Sequence, residues 1–121
     1  MKKRIAIISD IHGNLEALET VLNDIKTQDI DDVICLGDSI SIGPNSKECV
    51  DLLINNNIKS VLGNHEIYLL RGVDFDSSIM GEEKEHYKSV WASLTEREVD
   101  YIKKCPLYYD VNIGYDDEKF N

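Results

Sequence analysis

Two side chains that bind metals stand two residues apart near the start of the chain. In the segment IAIISDIHGN, Asp10 and His12 follow an apolar run that begins at Ile5. Carboxylate oxygens and imidazole nitrogens are common ligands of divalent cations. Because the pair follows a strand-like run directly, the turn that opens there brings both side chains within reach of one ion. Taken alone, the pair is equally compatible with a helix N-cap beside a chance histidine.

Two further polar clusters occur downstream, each after its own apolar run. The clusters are Gly37-Asp38 and Gly63-Asn64-His65-Glu66. In open α/β sheets, ligands bind at the carboxyl ends of parallel strands. Three clusters at three strand ends therefore predict one shared site, with the oxygen and nitrogen ligands of a divalent metal.

The elements that position these clusters alternate between strand and helix. Short apolar runs over 4–9, 33–36 and 58–62 predict strands that are buried on both faces. Apolar residues at helical spacing predict helices over about 14–27 and from about 46 onward. This order indicates a parallel βαβαβ sheet of the α/β class, with right-handed crossovers.

The next part of the chain has mostly helical patterns, from about residue 66 to Cys105, with a predicted break over 74–78. Thr95 and Glu98 match the capping box that begins a helix, and that helix ends before Pro106.

The final residues predict a hairpin. Apolar and polar residues alternate over 107–113, and a turn over 114–117 precedes the start of a returning strand. An apolar strand face with an open edge favours association. We therefore expect self-association or pairing with a complementing C-terminal half, and we treat residues 1–121 as a single domain.

Composition limits the classes of function. The net charge of −10 disfavours bulk nucleic-acid binding, whereas a small phosphorylated substrate stays compatible because bound cations invert the local field. Three widely spaced cysteines without a CxxC motif indicate reduced thiols, so we expect a cytoplasmic protein. The first apolar run is too short for a signal peptide or a membrane span, and we expect no membrane partner.

Together, the segments DIHGN (10–14), GDSISIGP (37–44) and GNHE (63–66) resemble the motifs of the calcineurin-like metallophosphoesterase superfamily. The likeness points to the small bacterial phosphoesterase branch that includes diadenosine-tetraphosphatase-like proteins. It implies the N-terminal half of a four-layer α/β/β/α sandwich, with a parallel βαβαβ core followed by helices and a terminal β-hairpin.

The resemblance implies a dinuclear metal centre. Asp10 and His12 would hold the first ion, Asp38 would bridge both ions, and Asn64 would bind the second ion and touch the substrate phosphate. The ions would be divalent, with manganese, iron, zinc, nickel and magnesium as candidates.

The resemblance also implies a hydrolase. His65 would contact the phosphate and protonate the leaving oxygen, Glu66 would orient the imidazole of His65, and Asn64 would complete the catalytic set. The expected reaction is hydrolysis of phosphate monoesters, phosphodiesters or nucleotide anhydrides.

The chain departs from the family pattern in its later part. A lone histidine and a G-H-x-H motif are missing, since the only histidines are His12, His65 and His86. We interpret His86, within EEKEHYKSV, as a solvated surface residue. We therefore expect a truncated domain with impaired activity. The alternatives are a non-catalytic metal-binding or interaction fragment and one half of a split enzyme. A haloacid-dehalogenase phosphatase is disfavoured because it requires Asp-x-Asp, and a receiver domain because it requires a further acidic pair.

Overall fold

A computed structural model describes residues 3–72 and 78–111. Three strands lie within these residues: β1 (Ile5–Ile8), β2 (Asp32–Cys35) and β3 (Lys59–Ser60). Five helices accompany them: α1 (Leu15–Thr27), α2 (Ser46–Asn55), α3 (Asn64–Arg71), α4 (Glu82–Ser93) and α5 (Glu96–Lys103). None of the helices in this described part is long and apolar enough to cross a membrane.

The three strands form one parallel sheet in the order β1-β2-β3. Ile5 lies opposite Asp32, and Ile34 lies opposite Lys59. The predicted α/β class and the βαβαβ order are therefore confirmed.

Strand β3 is shorter than predicted because backbone N–H groups at both ends of the predicted segment donate to residues outside the sheet. Ile58 N donates to Leu53 O, at the end of α2, at 2.9 Å. On the other side of β3, Leu62 N donates to Pro106 O at 2.9 Å. Only the middle of the predicted segment thus pairs with β2 as a strand.

The sequence predicted strands that are buried on both faces, and this prediction is wrong for part of the sheet. Ile7 is 62% exposed, and Leu36 is 48% exposed. Ile7 belongs to β1, which is an edge strand among the described residues and has no neighbour on its outer side.

Helix α1 begins where the sequence predicts, because Asn14 Oδ1 accepts a hydrogen bond from Ala17 N at 3.1 Å. Its buried side chains, Leu18 and Leu22, pack against α2 and the sheet. The cluster that they form contains Leu18, Leu22, Cys35, Cys49, Leu53 and Ile58. This core anchors the ends of β1 and β2, where the polar clusters begin.

The helical interpretation of the second half is confirmed, and the capping box that begins α5 is present. The strand predicted from Leu107 is wrong over the described part, because residues 107–111 form no strand. A strand needs a partner for its backbone groups, and the predicted returning strand lies outside the described residues, as does the hairpin turn. Most of the predicted break over 74–78 also lies outside them.

Candidate metal centre

The loops that follow β1 and β2 bring three metal-binding side chains together. Asp10, His12 and Asp38 each offer one ligand atom, and these atoms lie within 4.8 Å of one another. Asp10 Oδ1 and His12 Nε2 are 3.6 Å apart. The spacing suits ligands that surround a single ion, whose bonds to oxygen and nitrogen span roughly 2.0–2.6 Å.

The two loops are locked together by backbone hydrogen bonds that continue the β1–β2 pairing. Asp10 N donates to Gly37 O at 3.1 Å, and His12 N donates to Asp38 O at 3.0 Å. The next bond runs from Gly13 N to Ser39 O at 2.9 Å. The ligand positions are therefore fixed by the main chain and do not depend on side-chain packing alone.

All three ligand residues adopt left-handed backbone conformations. The φ angles are 57° for Asp10, 47° for His12 and 57° for Asp38. Such conformations are uncommon outside glycine, although Asp and His are enriched among the exceptions. Strained residues persist only where the surrounding structure over-determines them, and they cluster at functional sites.

The third polar cluster lies at the start of α3 and contacts the carboxylate of Asp38. His65 N donates to Asp38 Oδ1 at 3.0 Å. When its amide is turned so that nitrogen faces Asp38, Asn64 donates to Asp38 Oδ2 at 2.9 Å and to Oδ1 at 3.1 Å. The opposite rotamer places the amide oxygen against two carboxylate oxygens, an arrangement that a cation between them would relieve. Asn64 thus lies directly against the carboxylate of Asp38.

The donor set fits a divalent metal. It combines two carboxylates, one imidazole and an amide oxygen within reach, a mixture that suits Mn²⁺, Fe²⁺ and Zn²⁺. His12 adds a further feature, because its Nδ1 lies 3.2 Å from Ile40 O. A carbonyl only accepts hydrogen bonds, so Nδ1 carries the proton and Nε2 presents its lone pair to the site.

Comparison with known proteins agrees with this geometry. A family model for calcineurin-like phosphoesterases matches residues 3–117. The chain belongs to this family.

Members of the family show what share of their length the chain spans. It is 36% identical over 122 residues to an uncharacterised protein of Methanocaldococcus jannaschii, covering 93% of this chain and 46% of that protein. It is also 36% identical over 66 residues to a symmetrical bis(5'-nucleosyl)-tetraphosphatase of Baumannia cicadellinicola, covering 52% of this chain and 23% of that enzyme.

A solved structure of a metallophosphoesterase from Sphaerobacter thermophilus matches with a TM-score of 0.68 and 34% identity, over 88% of this chain and 42% of that one. The chain therefore spans less than half the length of each of these relatives.

Glu66 does not make the contact that the resemblance implied. Its carboxylate accepts three backbone hydrogen bonds, from Asp38 N at 2.6 Å, Gly63 N at 2.9 Å and Ser39 N at 3.2 Å. Burial raises the pKa of Glu66, while these three amide bonds favour its ionised form. Glu66 thus ties the loop after β2 to the start of α3. Its hydrogen bonds go to backbone amides instead of the His65 ring.

His65 is held by aromatic neighbours instead. Its ring lies 4.8 Å from the His12 ring and 5.6 Å from each of the rings of Tyr68 and Tyr87, measured between centroids. Burial lowers the pKa of His65, so the neutral ring is favoured. Its Nδ1 is buried and has no hydrogen-bond partner among the described residues.

His86 was interpreted from the sequence as a solvated surface residue, and the structure confirms this only in part. The side chain is partly buried, and its Nε2 accepts a hydrogen bond from Ile42 N at 2.7 Å. The one hint in the sequence is its place beside Tyr87, whose ring is buried on the inner side of α4. Its backbone partner lies 44 residues away and leaves no trace in the local pattern.

Proposed function

We propose that this chain binds a divalent metal through Asp10, His12 and Asp38, and that the domain to which it belongs hydrolyses phosphate esters or nucleotide anhydrides. The observation that carries the proposal is the convergence of three ligand atoms within 4.8 Å, from loops whose backbones are bonded to each other. Asn64, beside Asp38, is proposed as a further ligand.

A divalent metal held by Asp10, His12 and Asp38 would supply Lewis-acid polarisation of the phosphate and activation of water at neutral pH. The residues of this chain do the positioning. The backbone bonds between the two loops fix Asp10, His12 and Asp38, and the amide of His65 holds Asp38 Oδ1. The neutral ring of His65, next to His12, is placed to contact a phosphate oxygen or the leaving oxygen.

The proposed substrate is a small phosphorylated molecule, and bulk nucleic acid and membranes are not proposed as partners. The relative from Baumannia cicadellinicola, named as a symmetrical bis(5'-nucleosyl)-tetraphosphatase, supports a nucleotide anhydride among the candidates. Manganese is proposed as the first metal to test. The free cysteines Cys35, Cys49 and Cys105 support a reducing compartment such as the cytoplasm.

A second candidate is a metal-binding module with little activity of its own, which works with a complementing half or another copy of the chain. The cluster of Asp10, His12 and Asp38 favours it, because the ligand atoms that these side chains bring together among the described residues suit a single ion. In this case the chain binds one ion well and a second ion poorly.

The test compares two aspartates with the same substitution. Asp10→Asn removes a proposed ligand, whereas Asp51→Asn alters a carboxylate that pairs with Lys47 and Arg97 on α2 and α5. Titration calorimetry with Mn²⁺ should show binding to the wild type and to Asp51→Asn. Asp10→Asn should lose at least about a hundredfold in affinity, since even residues that only orient ligands cost 10–100-fold.

Turnover then separates the two candidate functions. Manganese-dependent hydrolysis of bis-p-nitrophenyl phosphate or a diadenosine polyphosphate by the wild type, lost in Asp10→Asn, supports the phosphoesterase. Metal binding without turnover supports the non-catalytic module. Absence of metal binding by the wild type contradicts both.

A further inference from the structure

Helix α4 contacts the loop between β2 and α2 through the side chain of His86. His86 Nε2 accepts a hydrogen bond from the backbone N–H of Ile42 at 2.7 Å. An imidazole nitrogen accepts only when it carries no proton, so the His86 ring is neutral with its proton on Nδ1. The bond joins α4 to the loop between β2 and α2.

The backbone that His86 holds is strained. Ser41 and Ile42 have φ angles of 71° and 76°. A β-branched residue in this left-handed region is an outlier. The Ile42 side chain is 65% exposed, so its packing does little to compensate for the conformation. The hydrogen bond that Ile42 N–H donates to His86 is therefore one of the contacts that favour it, beside the bond from Ser41 N to Ser46 Oγ at 2.9 Å.

The segment that contains Ile42 makes two hydrogen bonds with His12, one to its ring and one to its main chain. Ile40 O lies 3.2 Å from His12 Nδ1, and Gly43 N donates to His12 O at 2.7 Å. Residues 40–43, which we name the His12 clasp, thus fix both the ring and the main chain of this ligand. Ile42 is in the middle of the clasp, between these two contacts.

We propose that His86 is a positioning residue of the metal centre: through Ile42 N–H it holds the His12 clasp in the conformation that aims His12 Nε2 at the ion. This proposal rests on the proposed metal-binding function. It gives α4 a role in that function, because the helix then supplies a support for a ligand 74 residues earlier in the chain.

Two substitutions separate the hydrogen bond from the shape of the ring. His86→Phe keeps a flat ring beside Tyr87, whose ring lies 6.0 Å away, but cannot accept the bond. His86→Gln places an amide oxygen the same number of bonds from Cβ as Nε2, so it restores an acceptor. Lys88→Gln, at an exposed position on the same helix, is the control.

The first measurement is Mn²⁺ affinity by titration calorimetry. We expect His86→Phe to bind about tenfold more weakly, His86→Gln to recover most of the affinity, and Lys88→Gln to match the wild type. Equal affinity of His86→Phe and wild type overturns this proposal alone. A wild type that binds no Mn²⁺ overturns the proposed function and, with it, any role of His86 there.

The second measurement needs no metal. Amide hydrogen exchange by NMR should show that Ile42 N–H exchanges several-fold faster in His86→Phe than in the wild type or His86→Gln. Unchanged exchange overturns the proposal, because the bond then does not hold the clasp.

A double variant tests whether the strain at Ile42 is what His86 offsets. Glycine adopts left-handed conformations readily, so Ile42→Gly should reduce the dependence of the clasp on His86. We expect His86→Phe combined with Ile42→Gly to regain Mn²⁺ affinity relative to His86→Phe. Failure to regain it, with both proteins folded by circular dichroism, contradicts the strain argument.

Discussion

Helices α3 and α5 begin with the same hydrogen-bond pattern, but the glutamate that makes it has different further partners in the two helices. Each has a glutamate at its third position that accepts a hydrogen bond from the backbone N–H of the N-cap residue. Both glutamates are almost fully buried, with 3% exposure for Glu66 and 1% for Glu98. The bonds of Glu98 to Thr95 N and Oγ1, both 2.7 Å long, stay within its own helix start. Glu66 reaches further, to Asp38 N and Ser39 N in the loop after β2.

The N-cap residues differ for the same reason. At Thr95 there is room for a side chain, whose hydroxyl donates to Glu98. At Gly63 a Cβ atom would overlap Asp38 Oδ1 and lie 2.6 Å from Asp38 N. The start of α3 therefore gives up a side-chain cap so that Asp38 can approach the helix N-terminus, where backbone N–H groups favour a carboxylate. The buried glutamate at the third position stabilises the start of α5. At the start of α3, the equivalent glutamate also holds the loop of the proposed metal centre.

The largest expected effect comes from Gly63→Ala. The added methyl group has to displace Asp38, so we expect loss of Mn²⁺ binding by at least about a hundredfold. Overpacking against a fixed loop should also lower the free energy of unfolding by about 1–3 kcal/mol. Titration calorimetry and urea unfolding measure the two effects.

The control for this substitution is Gly72→Ala, at a position where no atom of the described residues, apart from its chain neighbours, lies within 4 Å of the added Cβ. Gly72 has a φ of 86°, so this variant carries backbone strain without a clash at the metal centre. It should keep its Mn²⁺ affinity. Normal affinity in Gly63→Ala would show that Asp38 moves freely and that the close approach is unimportant.

A smaller effect is expected when each buried glutamate is changed to glutamine. In Glu66→Gln, one acceptor oxygen is replaced by an NH₂ group that faces the backbone donors of the loop after β2. Leaving a buried donor without a partner costs about 1–3 kcal/mol, and we expect Mn²⁺ affinity to fall about tenfold as Asp38 loses its support. Urea unfolding and calorimetry again report the two quantities.

Glu98→Gln should behave differently. The amide oxygen of glutamine can accept the same two hydrogen bonds from Thr95 N and Oγ1 that Glu98 Oε1 accepts. We expect a change in stability within about 1 kcal/mol and no change in Mn²⁺ affinity. Equal losses of affinity in the two variants would remove the distinction between the helix starts.

The comparison also shows what the sequence could reveal. Apolar runs followed by polar clusters predicted the parallel sheet and placed Asp10, His12 and Asp38 at one edge, because strand direction alone brings strand ends together. The capping box of α5 was visible because its two residues are three positions apart. These features depend on local patterns, and local patterns survive in a single sequence.

Contacts between distant backbone groups could not be predicted. Glu66 accepts bonds from amides 27 and 28 residues away, and His86 from an amide 44 residues away, and no side-chain pattern encodes a backbone N–H as partner. The resemblance therefore implied a contact of Glu66 with His65 that the structure replaces with amide contacts. The strand predicted from Leu107 failed for a related reason, since alternation shows a possible strand face but not whether a neighbour is present to pair with it.

The smallest expected effect comes from Thr95→Ala. The variant loses the hydroxyl that donates to Glu98, but Thr95 N–H still reaches the same carboxylate oxygen. Loss of an N-cap hydroxyl costs typically about 1 kcal/mol, so urea unfolding should show a modest drop in stability. Mn²⁺ affinity should equal that of the wild type, because the hydroxyl of Thr95 donates to Glu98 within its own helix. The residue of α5 that packs in one cluster with Ile40, in the loop after β2, is Ile102 near the other end of the helix. A loss of affinity that approached that of Gly63→Ala would show that the start of α5 is coupled to the metal centre, and that the two helix starts are not separate in function.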